Sequence, residues 1–393
     1  VRKKRAKPAQ IVLRLAESDL VIDAMSLRVL IVPDKFKGSL TAIDAALAIA
    51  AGWLKERPGD RVTILPMSDG GDGFGAVLGE LMEAQPRFIR TIDAAHQPVR
   101  GIWRRVNVNA ATTALIDSAE VIGPARLPHG KFHPFQLDSF GLGALVAAAK
   151  SGAASAIVGL GGSATNDAGF GMARALGWKF FNRDWDELEE WWRLADLAHA
   201  RPPARSVPCK VTAAVDVTNP LLGPNGCSRV YGPQKGLRPQ DFELAEKCLA
   251  RLASVLKQQH DIDCANTPGA GAAGGLGFGL MAFAEARLES GFEVFARWAR
   301  LDDRIARADL VITGEGQIDS QSYMGKGVGQ VARLCLNLGI PCLAVAGIVL
   351  DAASARQCFV QARALTELAD FAGAKLHARR NLRQLVGQMA KEF

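Results

Sequence analysis

Much is scarce or missing in this 393-residue sequence, and each absence removes a class of function. No unbroken apolar run reaches the roughly 18 residues that span a bilayer. The apolar segment 144–162 is broken by Lys150 and Ser151, so it reads as a helix followed by a buried strand. No membrane partner is expected. Cys209, Cys227, Cys248, Cys264, Cys335, Cys342 and Cys358 never pair as C-x-x-C and form no even framework. A zinc module and a disulfide scaffold are set aside, and reduced thiols in the cytoplasm are expected. His129 and His133 are near in sequence, but Pro128, Gly130 and Pro134 keep them off a shared helix face.

A basic stripe interleaved with aromatics is also missing. The net charge is +7, and the segment before Met25 holds six basic residues against Glu17, Asp19 and Asp23. The remainder carries +4, which suits solubility and a mild attraction for anions but no nucleic-acid partner. The first residues lack the apolar core of a signal peptide. Residues 1–25 are expected to be a disordered or non-native extension, with Met25 as the native start. No G-x-x-x-x-G-K-[ST] occurs, because Ser320 stands where the first glycine before Gly325-Lys326 would be. Gly269 to Gly274 fits G-x-G-x-x-G, but Asn266-Thr267-Pro268 precedes it instead of a strand. A close-packed helix start and an anion site stay open there.

What is present is glycine, 40 residues of it, set among short apolar strands that alternate with helical patterns. The length favours two domains, and the alternation favours parallel α/β units. Strands are expected at 27–32, 62–65, 155–159, 210–215, 309–313 and 342–346. Between 87 and 117 three short strands follow one another without a helix, which marks a partly antiparallel piece. Helices are expected at 74–82, 142–150, 166–176, 241–260 and 327–338, and an amphipathic helix at 184–199 carries Trp185, Trp191 and Trp192. Another is entered through Thr41, with Asp44 at capping-box spacing. The fold class is α/β: a Rossmann-like parallel-sheet domain formed by both ends of the chain (26–85 and 290–393), with an inserted second α/β domain (86–289).

In open α/β sheets, ligands bind beyond the carboxyl ends of the strands. Five such ends carry the same chemistry: Pro33 to Ser39, Pro66 to Gly73, Gly159 to Asp167, Asp216 to Pro220 and Thr313 to Asp319. Glycines let backbone N–H groups approach a ligand, and a following helix N-terminus favours an anion. Gly161-Gly162-Ser163-Ala164-Thr165 therefore fits a phosphate cradle, or a tight turn with Thr165 as N-cap. Asp34, Asp69, Asp72, Asp167, Asp216, Glu315 and Asp319 all fall in these ends. If they converge, their repulsion requires a lysine or a divalent cation. Carboxylates beside phosphate loops point to Mg²⁺ and to phosphoryl transfer. Each aspartate alone is better read as a turn or cap, and only the set carries the inference.

The stretches PDKFKGSLTA (33–42), SDGGDG (68–73), GLGGSATNDAGFGMARALG (159–177), DVTNPLLGPNG (216–226), GPQKG (232–236), PGAGAAGGLGFGL (268–280) and GEGQIDSQSYMGKG (314–327) together resemble the bacterial glycerate kinase family. The resemblance implies a Rossmann-like domain, an inserted α/β domain and a site between them. It implies transfer of the ATP γ-phosphate to glycerate with Mg²⁺, giving 2-phosphoglycerate, with a homodimer left open. On this chain it places Lys35, with Lys37 as alternate, on the transferring phosphoryl group or the glycerate carboxylate, and Asp167 or Asp216 as base. Ser68, Asp69 and Asp72 organise Mg²⁺ and substrate hydroxyls, and Gly161, Gly162, Ser163 and Thr165 hold phosphate. Glu315, Asp319 and Lys326 close the site, with Glu315 and Asp319 on the metal. Asp34, Ser39, Gly70, Gly71, Asn166, Asn219, Lys235 and Gly314 join the substrate and phosphate contacts. Ala168 stands where a second glycine is common, Thr218 where an acid is common, and Ser322 where Thr is usual.

Overall fold

Along Arg28–Pro33 (β1), Val29 and Ile31 enter one hydrophobic core while Leu30 and Val32 enter another. A continuous apolar run needs this burial on both faces, which parallel sheets provide. The computed structural model describes residues 26–108, 111–128, 130–205, 207–319 and 327–393. The expected extension 1–25, His129, Ser322 and Lys326 lie outside them.

β1 belongs to a five-stranded sheet of order β13-β12-β11-β1-β2. Its other strands are Arg61–Ile64 (β2), Leu310–Ile318 (β11), Cys342–Val349 (β12) and Gln361–Ala364 (β13), and every pairing is parallel. The second sheet has six strands, order β10-β9-β6-β5-β4-β3. Gln85–Ile92 (β3), Pro98–Val108 (β4) and Ala111–Asp117 (β5) run antiparallel, as the helix-free stretch requires. Ser155–Gly159 (β6), Lys210–Val215 (β9) and Arg287–Ser290 (β10) continue in parallel. Lys179–Phe181 (β7) and His199–Arg201 (β8) form a separate antiparallel pair.

The longer helices are Ala42–Glu56 (α1), Phe74–Leu81 (α2), Phe140–Gly152 (α3), Phe242–His260 (α4), Ala272–Ala284 (α5), Gly291–Ala299 (α6), Gly327–Leu338 (α7) and Ala378–Glu392 (α8). Apolar residues of α1 and α8 cover one face of the first sheet. On its other face, Phe74 and Leu78 of α2, Phe292 and Phe295 of α6 and Val331 of α7 share a cluster with Val106, Leu115, Ile157 and Ala214 of the second sheet. One core thus joins the two. The molecule is an α/β protein with a parallel-sheet domain and a second sheet domain.

Three expectations need correction. No long helix spans 184–199. Asn182 Oδ1 accepts from the Asp184 and Asp186 N–H groups at 2.9 Å, and Trp185 has φ 67°, so local turn chemistry overrides the helical spacing. Trp191 then sits in a short 3₁₀ turn, Trp191–Asp196, donating to the Pro134 and Leu137 carbonyls. The helix expected from Asn166 begins only at Phe170 and runs to Ala175, so Thr165 caps nothing. The strand expected to end at Thr313 continues to Ile318, because Gln317 and Ile318 pair with Ile348 and Val349. The fifth strand end is therefore largely strand.

Candidate active site

β1 delivers Asp34 and Lys35 into a loop tied at both sides. The Asp34 N–H donates to the Gly314 carbonyl at 2.8 Å, and Phe36 pairs with Leu40 across Gly38. Ser39 closes that turn, its hydroxyl donating to the Phe36 carbonyl, and Thr41 caps α1 by accepting from the Asp44 N–H. Lys37 is exposed. The Lys35 ammonium lies 4.0 Å from an Asp69 oxygen and 3.5 Å from the Asp72 carbonyl. Burial pulls it toward neutrality, but the carboxylates of Asp69, Asp34, Asp72 and Asp216 outweigh that and raise its pKa. Burial, then Asp69, push the Asp34 carboxyl well above the ordinary range against the pull of Lys35, with Glu315 adding to the rise. Three strand ends thus meet around one ammonium, and Glu315 within β11 acts on Asp34 beside it.

Backbone carries the rest of this centre. The Asp69 carboxylate accepts from the Gly71 N–H at 3.1 Å, folding the segment so that Gly71 lies beneath Lys35. A Cβ at Gly71 would come within 2.6 Å of Lys35 Nζ, and one at Gly161 within 2.5 Å of the Asp72 nitrogen. Gly161 demands glycine because two loops touch there through backbone, whereas Gly71 leaves room for the Lys35 ammonium. Gly70 is buried beside them, and Gly162 faces the Asp72 carboxylate. The Ser68 hydroxyl is buried with no hydrogen-bond partner among the described residues. A buried polar atom of this kind calls for a ligand or water.

The segment 163–169 turns inward instead. Ser163 and Thr165 bond each other through their hydroxyls at 2.9 Å, and Asn166 donates to Ser228 Oγ at 2.9 Å. Its carbonyl oxygen is buried without a hydrogen-bond partner among the described residues. Asp167 is 0 % exposed. One of its oxygens accepts from Ser139 N at 2.9 Å, Ser139 Oγ at 2.7 Å and Gly171 N at 3.0 Å, and the other from Gly169 N at 3.3 Å. Burial, then Asp138, raise its pKa against those donors. A carboxylate so enclosed braces the turn between Ser139 and Gly171. Lys235 Nζ donates to the Thr165 carbonyl at 2.6 Å, and burial lowers its pKa to about 8. Lys235 therefore ties this segment from inside.

Asp216 is exposed at the end of β9 and acts electrostatically on both Lys35 and Tyr231. Tyr231 donates to Asn219 Oδ1 at 2.6 Å, while Asn219 Nδ2 donates to the Asn225 carbonyl, so Asn219 braces the loop after Asp216. Glu315 and Asp319 lie on or just past β11, roughly 13 Å apart along an extended chain. Gly314 is buried and contributes its carbonyl to the Asp34 loop.

The sequence model of the glycerate kinase family matches residues 29–393. Glycerate 2-kinase of Escherichia coli strain K12 is 36% identical over 331 residues, covering 83% of this chain and 86% of that one. Glycerate kinase of Bacillus subtilis strain 168 is 34% identical over 331 residues, covering 82% and 85%. A crystal structure from Salmonella typhimurium LT2, described as a glycerate kinase 2, matches with a TM-score of 0.77 at 31% identity, covering 94% of this chain and 98% of that one. The chain belongs to the glycerate kinase family.

It is therefore a kinase, and its fold brings Asp34, Lys35, Asp69, Asp72, Asp216 and Glu315 into one electrostatic group. Ser163, Thr165, Asn166, Asp167 and Lys235 form an interior layer behind that group. Among the described residues no helix of this kinase is long and apolar enough to cross a membrane. Sequence reasoning missed Asp117, at the end of β5, which accepts from Gly73 N at 2.9 Å and Ala119 N at 3.0 Å. Burial, then Glu120, lift it to about 6. It missed Ser118 as well, whose hydroxyl donates to the Gly161 carbonyl at 3.1 Å, and the paired hydrogen bonds from Arg104 to Glu120. The available signal was position: Asp117 and Ser118 follow an apolar strand, but no glycine accompanies them.

Proposed function

We propose that this kinase transfers the γ-phosphoryl group of ATP to the 2-hydroxyl of glycerate, giving 2-phosphoglycerate and ADP. The observation that carries the reading is the half-buried Lys35 ammonium within reach of Asp69, ringed by four carboxylates from three strand ends and set over the Gly71 backbone. Phosphoryl transfer needs little covalent work from the protein; it needs positioning and charge stabilisation. Lys35 stabilises the equatorial oxygens of the transferring group or holds the glycerate carboxylate. Backbone N–H groups of Gly70, Gly161 and Gly162 donate to phosphate oxygens. Ser68 Oγ, buried and unpartnered among the described residues, is a polar contact for the substrate. Asp216 takes the proton of the attacking hydroxyl as its oxygen bonds the γ-phosphorus, and the β,γ-bridging oxygen departs with ADP.

Among the described residues no cluster of three or more His, Cys, Asp and Glu side chains could hold a metal ion alone. Mg²⁺ does not require one, since it binds through one or two carboxylates plus phosphate oxygens and water. The donors around Lys35 are hard oxygens, so they fit Mg²⁺ arriving with the nucleotide. Asp69 and Asp72, with Glu315 and Asp319 beyond, would hold it, and bound there it would neutralise charge on the phosphates. All seven cysteines are free thiols, which suits the cytoplasm.

One assay with ATP, Mg²⁺ and a panel of glycerate, tartronate, erythronate and glycolate tests the reading. Glycerate should give the highest kcat/KM, and phosphorus NMR should show the 2-phosphate. ATP hydrolysis independent of any acid would overturn it, and a 3-phosphate product would overturn the regiochemistry.

A further inference from the structure

An open-sided cavity of about 590 Å³ lies on the outer side of the first sheet, between α1, α8 and the tip of the Lys35 loop. Lys375, Arg380 and Arg383 line it and have no carboxylate partner among the described residues. Arg379, also in its wall, is paired with Asp44. Leu40, Leu47 and the strongly exposed Leu376 give its wall an apolar side.

Two physical features make this more than a solvated basic face. The first turn of α8 has no acidic residue and no side-chain cap on its N–H groups, yet Arg379 and Arg380 stand there. Arg380 at that end opposes the helix dipole, and both it and the dipole favour an anion there. The cavity also touches the reacting centre's own loop. Ser39 and Leu40 belong to its wall, and a Cβ at Gly38 would come within 3.0 Å of Lys375 Nζ. Gly38, beside this ammonium in space, stands three residues after Lys35 in the chain.

We propose that this cavity binds a small phosphorylated organic acid, and that its occupancy alters turnover through the Lys35 loop. The phosphate would meet Lys375, Arg380, Arg383 and the α8 N–H groups, and the carbon skeleton Leu40, Leu47 and Leu376. The volume suits a small molecule, within the range of roughly 300–1,000 Å³ usual for such sites. The apolar side of its wall favours an organic phosphate over the free ion.

Calorimetric titration with phosphoglycolate and with inorganic phosphate tests this on the full chain. Four proteins are compared: wild type, the double variant R380A/R383A, Lys35→Met and Leu376→Glu. Phosphoglycolate should bind wild type at least tenfold more tightly than inorganic phosphate. R380A/R383A should lose tenfold or more of that affinity while its basal kcat stays within twofold. Lys35→Met, altered at the reacting centre, should keep the affinity. Leu376→Glu, at a strongly exposed position, provides a second blocked cavity that leaves the arginines in place. Undiminished binding by both cavity variants, or loss of binding in Lys35→Met, would overturn the site. Equal affinity for the two anions would overturn the organic ligand. In wild type, phosphoglycolate should change kcat/KM at least twofold, an effect absent from R380A/R383A; an unchanged kcat/KM would overturn the coupling.

Discussion

Asp167 and Asp216 carry the same side chain at the ends of two neighbouring strand loops, yet their surroundings differ sharply. Asp167 is enclosed by the Ser139 hydroxyl and three backbone N–H groups, whereas Asp216 is exposed beside Lys35. Asp167→Asn must turn an amide N–H₂ or a single carbonyl toward donors that now share two carboxylate oxygens. Leaving a buried donor unmet costs about 1–3 kcal/mol. Denaturant unfolding should show Asp167→Asn destabilised by about that much. Asp216→Asn should unfold like wild type but lose about 10²-fold or more in kcat, the usual scale for a general base. Near-native turnover in Asp216→Asn would remove it as the base. Asp117 supplies a prediction with a sign. Its pKa rises from 3.8 to about 6 on folding, chiefly by burial, so the native state binds more protons than the unfolded one between those values. Its contribution is present in full below pH 3.8 and is lost as pH rises through 6, by about 3 kcal/mol for a shift of roughly two units. Asp117→Asn lacks this slope. The stability of wild type relative to Asp117→Asn should therefore be larger at pH 4.5 than at pH 7. A difference that does not vary with pH would show that the Asp117 carboxyl titrates as in water.

Elements were legible wherever a local pattern decides them. Strands such as Ser155–Gly159 and Lys210–Val215, and the helix Gly327–Leu338, fall where apolar runs and breakers place them. The convergence of strand ends was legible for the same reason, because glycine and aspartate announce a backbone that must bend and bind. Long-range packing was not legible. Nothing near Ser163 to Asp167 says that Lys235, Ser228 and Ser139 will draw that segment inward, and nothing near Thr313 says that β12 will extend β11 through Ile318. Ala168 shows the boundary between the two kinds of information. It has φ 51°, a left-handed conformation that costs an L-residue with a Cβ roughly 1–2 kcal/mol, and its family resemblance had flagged a glycine position. It is also fully buried, against Gly275 and Gly279 of α5. Ala168→Gly releases the strain but gives up a methyl contact of about 0.8 kcal/mol and adds backbone freedom to the unfolded chain. The net change in unfolding free energy should stay within about 1 kcal/mol of wild type. A loss well beyond that would mean that packing, not the dihedral, governs the position.

At the scale of the molecule, the two sheets share a core. Phe74 is fully buried where that sharing is tightest: it opens α2, immediately after the SDGGDG segment, and its ring lies against Gly159 at the end of β6. The same side chain therefore joins the first sheet's loop to the second sheet, and positions Asp69 and Asp72 relative to Gly161. Replacing a buried Phe by Ala costs about 3–5 kcal/mol through lost transfer energy and the cavity left behind. If the shared cluster couples the sheets, Phe74→Ala should lower the stability of the whole chain in one transition that far-ultraviolet dichroism and tryptophan fluorescence follow together. Trp53 packs in the core of the first sheet and Trp103, Trp178 and Trp191 in that of the second, so fluorescence reports on both sides. Turnover of the folded variant should fall as well, because the two glycine loops then meet less firmly under Lys35. Two separate transitions in the wild type would show instead that each sheet unfolds alone. In that case the loops from the two sheets are held together by the ligand more than by the fold, and Phe74→Ala should lose affinity for ATP while keeping the midpoint of the second-sheet transition.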